Sequence, residues 1–251
     1  KAVELLTNER CRVNGVRCRT DEGWKEFHAK KGVVVATGGF SANSEMLCRY
    51  MGGAFSRLVL RGSPYVNGNV ELTRPLGARL VHMDSFHCGP IVASTHVNPN
   101  YIIDAGQGLD IDVRGKRFID EVGTYTQKSM AVATRTPENF AYHLIDAHWG
   151  RAQKAFESFT HMNTKVYKAD SIEALAEMMG IEKGVLTKLV ADYNEHFKTG
   201  TLKDMNPPCS LPEPQPLDKA PFYAFPFQGG ITATFGGPKI NAKAQVMTYE
   251  D

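Results

Sequence analysis

The chain has 251 residues, of which 42% are hydrophobic and 22% are charged, a composition typical of one large globular domain or two modest ones. The formal net charge is +2, and without a long run of Lys or Arg the sequence gives no reason to expect nucleic acid or an anionic membrane as a partner. No segment has the length and apolarity of a transmembrane helix, and no signal peptide is visible. The five cysteines and eight histidines lack CxxC, HxH and HExxH spacing, which predicts free thiols and no metal site.

The first part of the chain is predicted to form a sheet. Short alternating runs separated by turn-forming residues predict strands at residues 3–6, 13–19 and 25–29. Residues 32–36 then form a continuous apolar run that ends in glycines, which is typical of a parallel strand buried on both faces. Ser41 is the predicted N-cap of a short helix that ends near Met51.

The middle of the chain has a weaker pattern. Residues 52–140 are irregular and rich in glycine, with a helix predicted at 70–76 and strands predicted at 78–83 and 108–113. A strand at 141–146 and a helix at 147–159 are predicted next.

Two helices have the clearest periodicity. Asp170 or Ser171 is expected to cap a helix over residues 172–179, which Gly180 ends. A second helix is predicted over 183–198, with Gly200 after it. A proline-rich tether at 204–221 leads to predicted strands at 222–227 and 238–247. With strands at both ends, this layout indicates a discontinuous domain that contains an inserted one.

The most specific local motif is Val33-Val34-Val35-Ala36-Thr37-Gly38-Gly39-Phe40. Paired glycines after a strand allow a phosphate or a ribityl chain to approach the backbone without a Cβ clash. In its setting this segment resembles the ATGGF segment of flavoproteins of the fumarate reductase and succinate dehydrogenase type.

Five further segments resemble that family in the same order along the chain. They are Gly77-Ala78-Arg79-Leu80-Val81-His82-Met83, Arg114-Gly115-Lys116-Arg117-Phe118-Ile119-Asp120-Glu121, the helices with Leu175-Ala176 and Tyr193-Asn194-Glu195, Ala220-Pro221-Phe222-Tyr223-Ala224, and Thr234-Phe235-Gly236-Gly237-Pro238-Lys239-Ile240-Asn241. Each is weak alone, but together they cover almost the whole chain.

The resemblance implies an α/β fold made of a partial FAD-binding domain with an inserted α+β cap domain. The FAD-binding segment would be residues 1–83, the mixed α/β cap (substrate) domain 84–225, and the return strands of the FAD-binding domain 226–251. The residues that would line the FAD site are Ala36, Thr37, Gly38, Gly39, Gly236 and Gly237.

The activity implied is that of an FAD-dependent oxidoreductase of the CH–CH class. Such an enzyme transfers hydride between the flavin and an activated C=C or C–C bond of a small organic substrate. The 251 residues contain no GxGxxG loop for the FAD pyrophosphate and no match to the family's C-terminal glycine-rich segment. The chain is therefore expected to be a fragment that is inactive alone, does not retain FAD and needs the remainder of the FAD-binding domain as its partner.

The chain departs from the family where fumarate would be bound. The position of the family's proton-delivering Arg is Tyr125, and the positions of two substrate His residues are Gly89 and Ala233. The family's Gly-Asp-Gly appears as Asn67-Gly68-Asn69. A substrate other than fumarate is predicted because a dicarboxylate reductase without these groups could neither bind nor protonate its substrate.

Tyr125 is the predicted catalytic residue, because ketosteroid dehydrogenases, which are similar in fold, have a Tyr in the corresponding cap segment. A phenol can act as an acid or a base. The alternative is a tyrosine that only packs or faces solvent. For the chain as a whole, the alternative is a cap module that binds without catalysis. Localisation is left open between the cytoplasm and, with an upstream export signal, the periplasm.

Overall fold

In the computed structural model, residues 1–64, 68–104 and 106–250 are described. Their contacts divide the chain into two compact units. The first unit comprises Lys1–Gly53, Gly62–His87 and Thr232–Asp251, and the second comprises Ala54–Arg61 and Cys88–Ile231. The boundaries predicted after residues 83 and 225 remain a prediction, since contact density does not test independent folding.

Strands and helices are interspersed along the described residues. In chain order, the strands of the described residues are β1 Ala2–Thr7, β2 Val13–Thr20, β3 Gly23–His28, β4 Val59–Leu60, β5 Leu80–Val81, β6 Phe86–Ile91, β7 Leu109–Asp112, β8 Ala141–Ile145, β9 Tyr167–Ala169, β10 Phe222–Thr234 and β11 Gly237–Pro238. The helices are α1 Ser44–Met51, α2 Gly68–Thr73, α3 Asn100–Ile103, α4 Tyr125–Arg135, α5 Ala152–His161, α6 Ile172–Met179 and α7 Lys183–Thr199. The predicted α/β class is confirmed.

The first unit contains the predicted N-terminal strands. β1, β2 and β3 form an antiparallel meander in that order, and β5 pairs with β11 in a second small sheet. The strand predicted over residues 32–36 is wrong: no strand is assigned there, and Val34 is 90% exposed. A strand buried on both faces needs hydrogen-bonding neighbours, and no described residue pairs with this run as a strand. Instead, half-buried and exposed residues alternate along it.

Two more details of this unit differ from the expectations. The N-cap of α1 is Asn43 rather than Ser41, because the Asn43 side chain accepts a hydrogen bond from Met46 N at 3.0 Å. The strand expected over residues 238–247 is reduced to β11, and the chain beyond it turns back through a bridge between Ile240 and Val246.

The second unit is built around β10. This strand pairs in parallel with β4, antiparallel with β8 and β9, and also with β6, while β7 adds to the far side of β8. One cluster packs α6 and α7 against β7 and β8, and a second packs α5 against β10. A third cluster joins α4 to Phe118, Ile119 and Phe227. Helices therefore pack on the sheet of this unit through these three apolar clusters.

The helices α6 and α7 confirm the periodicity reading. Ser171 caps α6 by accepting from Ala174 N at 3.1 Å, and Gly180 ends it in the left-handed region at φ 72°. Gly200 ends α7 in the same way at φ 73°. Within the described part of the chain, no helix has both the length and the apolarity needed to cross a bilayer.

Candidate functional site

In the first unit, the predicted FAD residues lie on two segments that touch each other. Phe40 N donates a hydrogen bond to Thr234 Oγ1 at 2.9 Å. A Cβ added to Gly39 would lie 2.1 Å from the same oxygen, so this position tolerates only glycine without movement. Gly39 and the segment that leads into Gly236 are thus brought together, although nearly two hundred residues separate them in sequence.

The other glycines of this set are also in close contact with neighbours. A Cβ on Gly236 would lie 2.6 Å from His82 O and 2.6 Å from Met83 Cα, and one on Gly237 would lie 2.6 Å from Asn69 Nδ2. Gly236 and Gly237 are buried, whereas Ala36 and Gly38 are exposed. Close approach to the backbone of His82 and Met83 therefore explains Gly236, and close approach to the Asn69 side chain explains Gly237.

Thr37 borders a cavity of about 580 Å³. The cavity is lined by Lys1, Ala2, Val3, Thr37, Pro64, Gly68, Glu71 and Leu72. A Cβ on Gly68 would lie 2.4 Å from Thr37 Oγ1. In the described part of the chain, Thr37 Oγ1 and Asn69 Oδ1 are buried without a hydrogen-bond partner. Buried polar atoms without partners are expensive, so a ligand that satisfies them is favoured here.

The polar groups of this unit fit a cofactor with hydroxyl and phosphate groups. The Thr37 hydroxyl can donate to a phosphate or ribityl oxygen, and Asn69 Oδ1 can accept a hydrogen bond from a ribityl hydroxyl. In the Asn67-Gly68-Asn69 segment, Asn67 lies outside the described residues. The resemblance predicts that this segment lacks the acidic residue of the family's Gly-Asp-Gly, and Asn69 carries a neutral amide.

In the second unit, Tyr125 is the first residue of α4. Thr124 is the N-cap, and its side chain and that of Gln127 form a reciprocal capping box with bonds of 3.3 and 2.8 Å. The sequence pattern predicts an irregular stretch here, although the spacing of Thr124 and Gln127 is that of a capping box. The structure therefore places Tyr125 on a rigid helix start rather than in a loop.

Two strands hold the N-terminal half of α4. Thr126 Oγ1 donates to Cys88 O at 3.1 Å, and the Cys88 thiol contacts Thr126 O at 3.6 Å, which joins α4 to β6. Ser129 Oγ accepts a hydrogen bond from Gly230 N at 3.1 Å, which joins α4 to β10. Burial raises the pKa of the Cys88 thiol, so this group is a neutral neighbour at pH 7.

A cation lies next to Tyr125. A Cβ on Gly89 would lie 2.0 Å from Arg61 Nη1 and 3.0 Å from Tyr125 Cδ2, so the two side chains meet over this glycine. Burial lowers the pKa of Arg61, and charge interactions with Tyr125 and Cys88 oppose that effect. Arg61 was missed by sequence reasoning, and the small residue at Gly89 was the only hint that a large side chain needed space there.

A second charged group lies behind α4, in the core. Lys128 Nζ is 3.2 Å from Asp110 Oδ2, and Asp110 Oδ1 is 2.8 Å from His143 Nδ1, with all three side chains buried. Burial alone would raise the pKa of Asp110, but the Lys128 charge and the His143 hydrogen bond outweigh it and lower that pKa. The network therefore fixes an ionised carboxylate under the helix that carries Tyr125.

Asp146, His148 and Asp218 are the one group of three potential metal ligands found among the described residues. The Asp146 oxygens already accept backbone hydrogen bonds from His148, Asp218 and Lys219. These carboxylate contacts are explained by loop structure without an ion.

Comparison with known proteins identifies the family of the chain. The family model described as "FAD binding domain" matches residues 1–251. The chain is 25% identical over 251 residues to a probable fumarate reductase, Ifc3, from Shewanella frigidimarina, covering 100% of this chain and 42% of that protein. The chain thus spans about two fifths of the length of this relative.

Two solved structures of flavoproteins are also similar to this chain. An open conformation of a flavocytochrome c3 fumarate reductase has a TM-score of 0.83 and 26% identity, covering 100% of this chain and 44% of that one. A 3-ketosteroid Δ1-dehydrogenase from Sterolibacterium denitrificans has a TM-score of 0.71 and 20% identity, covering 100% of this chain and 51% of that one, and this likeness concerns the fold alone. The chain belongs to the FAD binding domain family of flavoproteins, whose cofactor is FAD.

Proposed function

We propose that this chain forms part of the FAD site and the substrate-facing cap of an FAD-dependent oxidoreductase that acts on an activated carbon–carbon double bond. The observation that carries the proposal is the meeting of Tyr125 and Arg61 over Gly89. A protic side chain at the start of a capped helix, beside a half-buried cation, is suited to proton transfer.

The residues that would hold FAD are Ala36, Thr37, Gly38, Gly39, Gly236 and Gly237. When bound, FAD supplies or accepts the hydride, which is the redox part of the reaction. The unpartnered Thr37 Oγ1 and the glycines in close contact are the features of this chain that support the assignment.

Tyr125 would handle the proton. Adding a hydride to one carbon of a double bond leaves negative charge on its neighbour, and the Tyr125 hydroxyl would donate H⁺ there. One H⁻ and one H⁺ together saturate the bond, and the phenolate is then reprotonated from solvent. In the reverse direction, Tyr125 would accept the proton.

Fumarate is not the proposed substrate. The two relatives named as fumarate reductases share the fold, but the resemblance predicts cations at positions that are Tyr125, Gly89 and Ala233 here. With these groups absent, a second carboxylate would be desolvated without a counter-ion from these positions.

The test is flavin reoxidation in the FAD-loaded full-length protein. The flavin is reduced anaerobically with dithionite and then mixed with fumarate and with a panel of singly activated alkenes. Recovery of the absorbance near 450 nm with at least one singly activated alkene, and much slower recovery with fumarate, is expected. Recovery with none of them would favour a non-catalytic binding module, and brisk recovery with fumarate would contradict the substrate assignment.

A further inference from the structure

Arg61 is held in place by its backbone. It directly follows β4, whose residues Val59 and Leu60 pair in parallel with Gly230 and Ile231 of β10. Arg61 N also donates to Ile231 O at 2.8 Å. Pairing with β10 therefore fixes the position of the Arg61 backbone, from which the side chain extends.

Two glycines make room for the Arg61 side chain. A Cβ on Gly230 would lie 2.6 Å from Arg61 Cγ and Cδ, so the aliphatic part of the side chain lies across that glycine. A Cβ on Gly89 would lie 2.0 Å from Nη1. Larger residues at either position would displace the guanidinium from Tyr125.

Two other cations of this unit, Arg117 and Lys128, are buried and paired with carboxylates. Arg117 donates two hydrogen bonds to Glu121 and one each to the carbonyls of Pro207 and Pro208. Lys128 has both Asp110 and the Ile103 carbonyl. Arg61 differs: over the described residues its Nη1 is buried without a hydrogen-bond partner, and no carboxylate lies within ion-pair distance.

The immediate neighbours cannot neutralise this charge. An arginine stays protonated in proteins, while burial keeps the nearby Cys88 thiol neutral by raising its pKa. A partly desolvated guanidinium without an anion is unfavourable, and a bidentate carboxylate is the partner that matches its geometry best.

We propose that Arg61 is the specificity-determining residue of this site and binds the carboxylate of an α,β-unsaturated monocarboxylate. The inference rests on the proposed function and adds to it the class of substrate. Arg61 supplies one guanidinium, which matches one carboxylate. A neutral carbonyl would leave the charge of the half-buried Arg61 uncompensated, so the acid is preferred over its amide.

The positions of Arg61 and Tyr125 also assign a different role to each residue. Arg61 Nη1 lies 2.0 Å and Tyr125 Cδ2 lies 3.0 Å from the same Cβ position of Gly89, so a carboxylate bound by Arg61 would bring the conjugated carbons near Tyr125. Arg61 then orients the substrate, and Tyr125 remains the group that transfers the proton.

The experiment measures binding without turnover, in the FAD-loaded, oxidised full-length protein. Crotonate, cinnamate and 2-hexenoate are each compared with their primary amides by titration calorimetry. Arg61→Met removes the charge and keeps the stem, Arg61→Lys keeps the charge without the fork, and Arg151→Met is the control at an exposed arginine of the same unit. The FAD spectrum and the thermal midpoint show whether each variant is folded.

For at least one acid, the wild type is expected to bind about ten- to a hundredfold more tightly than it binds the amide. Arg61→Met should abolish this ratio, Arg61→Lys should retain part of it, and Arg151→Met should leave it unchanged. Equal binding of acids and amides by the wild type, or an acid preference that survives in a folded Arg61→Met protein, would overturn the inference. Because no redox step is measured, a lack of alkene reduction would count against the proposed function alone.

Discussion

Tyr125 and its neighbours show how single side chains set the chemistry of the second unit. Tyr125 begins a capped helix, and Gly89 leaves the space in which its ring meets Arg61. The sequence alone pointed to Tyr125 through a resemblance, with a packing role as the alternative. Its place on a rigid helix beside a cation supports the proton-transfer role that we propose.

Replacing Tyr125 with Phe tests that role. Turnover of the FAD-loaded full-length protein with its substrate should fall by about a hundred- to ten-thousandfold, because a general acid contributes that much. Flavin reduction and substrate binding should stay nearly unchanged, since the ring is kept. Stopped-flow absorbance separates these steps, and Tyr249→Phe, at an exposed tyrosine, is the control. Normal turnover of Tyr125→Phe would refute the assignment.

Replacing Gly236 with Ala tests the close contacts of the first unit. Its Cβ would lie 2.6 Å from backbone atoms of His82 and Met83, which cannot rotate away as a side chain could. Gly236→Ala should therefore lower the free energy of unfolding by about 1–3 kcal/mol and weaken FAD uptake by the full-length protein. Gly53→Ala, where a Cβ meets nothing within 4 Å, should change both little. Thermal unfolding and FAD titration measure the two effects, and equal behaviour of the two variants would contradict the prediction.

At the scale of elements, α4 and the strands beneath it share a buried ion network. Lys128 of α4, Asp110 of β7 and His143 of β8 bring three elements together through charge. Removing one partner of a buried ion pair leaves the other charge without a counter-ion. The resulting loss of stability is larger than the net stabilisation that the intact pair provides.

Asp110→Asn should lower the free energy of unfolding by about 3–5 kcal/mol at pH 7, because Lys128 loses its counter-ion. The pKa of Asp110 is lower in the folded state than in the unfolded chain. Its contribution is therefore complete above the unfolded value of about 4 and is lost as the pH falls through the folded value.

This pH dependence can be measured by urea unfolding of the chain, followed by the combined fluorescence of Trp24 and Trp149, between about pH 7 and pH 3. The wild type should lose stability on acidification, and Asp110→Asn should lose less of it. Asp192→Asn, at an exposed position of α7, should follow the wild type. The network would have no stabilising role if Asp110→Asn and Asp192→Asn gave the same curves.

At the scale of the whole molecule, the chain spans about two fifths of the relative and of the fumarate reductase structure that it resembles. Four of the six predicted FAD residues lie in residues 32–39, which form no strand, and part of this run is exposed. The 251 residues also contain no GxGxxG loop. The chain thus presents only some of the contacts that hold FAD in this family.

We therefore expect the isolated 251-residue chain to purify without stoichiometric FAD, whereas the full-length protein should retain it. An absorbance scan near 450 nm, with FAD released by heat and quantified, measures both. The physical reason is that affinity for a large cofactor depends on many contacts made together. One FAD per isolated chain would show that the present contacts suffice.

The sequence by itself determined the helices α6 and α7 and the family. Ser171, Gly180 and Gly200 act within one helical turn, and the apolar spacing of α6 and α7 is a local property, so both helices were predicted closely. The order of motifs along the chain identified the family, because each motif can be read without knowing what it contacts.

Only the tertiary structure decided which distant residues meet. Arg61 and Gly89 come together because β4 pairs with β10 at Gly230, and strand pairing between distant segments leaves no signal in local periodicity. The run at residues 32–36 shows the converse: its apolar pattern predicted a buried strand, but a strand forms only where neighbours supply hydrogen bonds. The resemblance of a local segment therefore pointed to Tyr125, and long-range strand pairing brought Arg61 beside it.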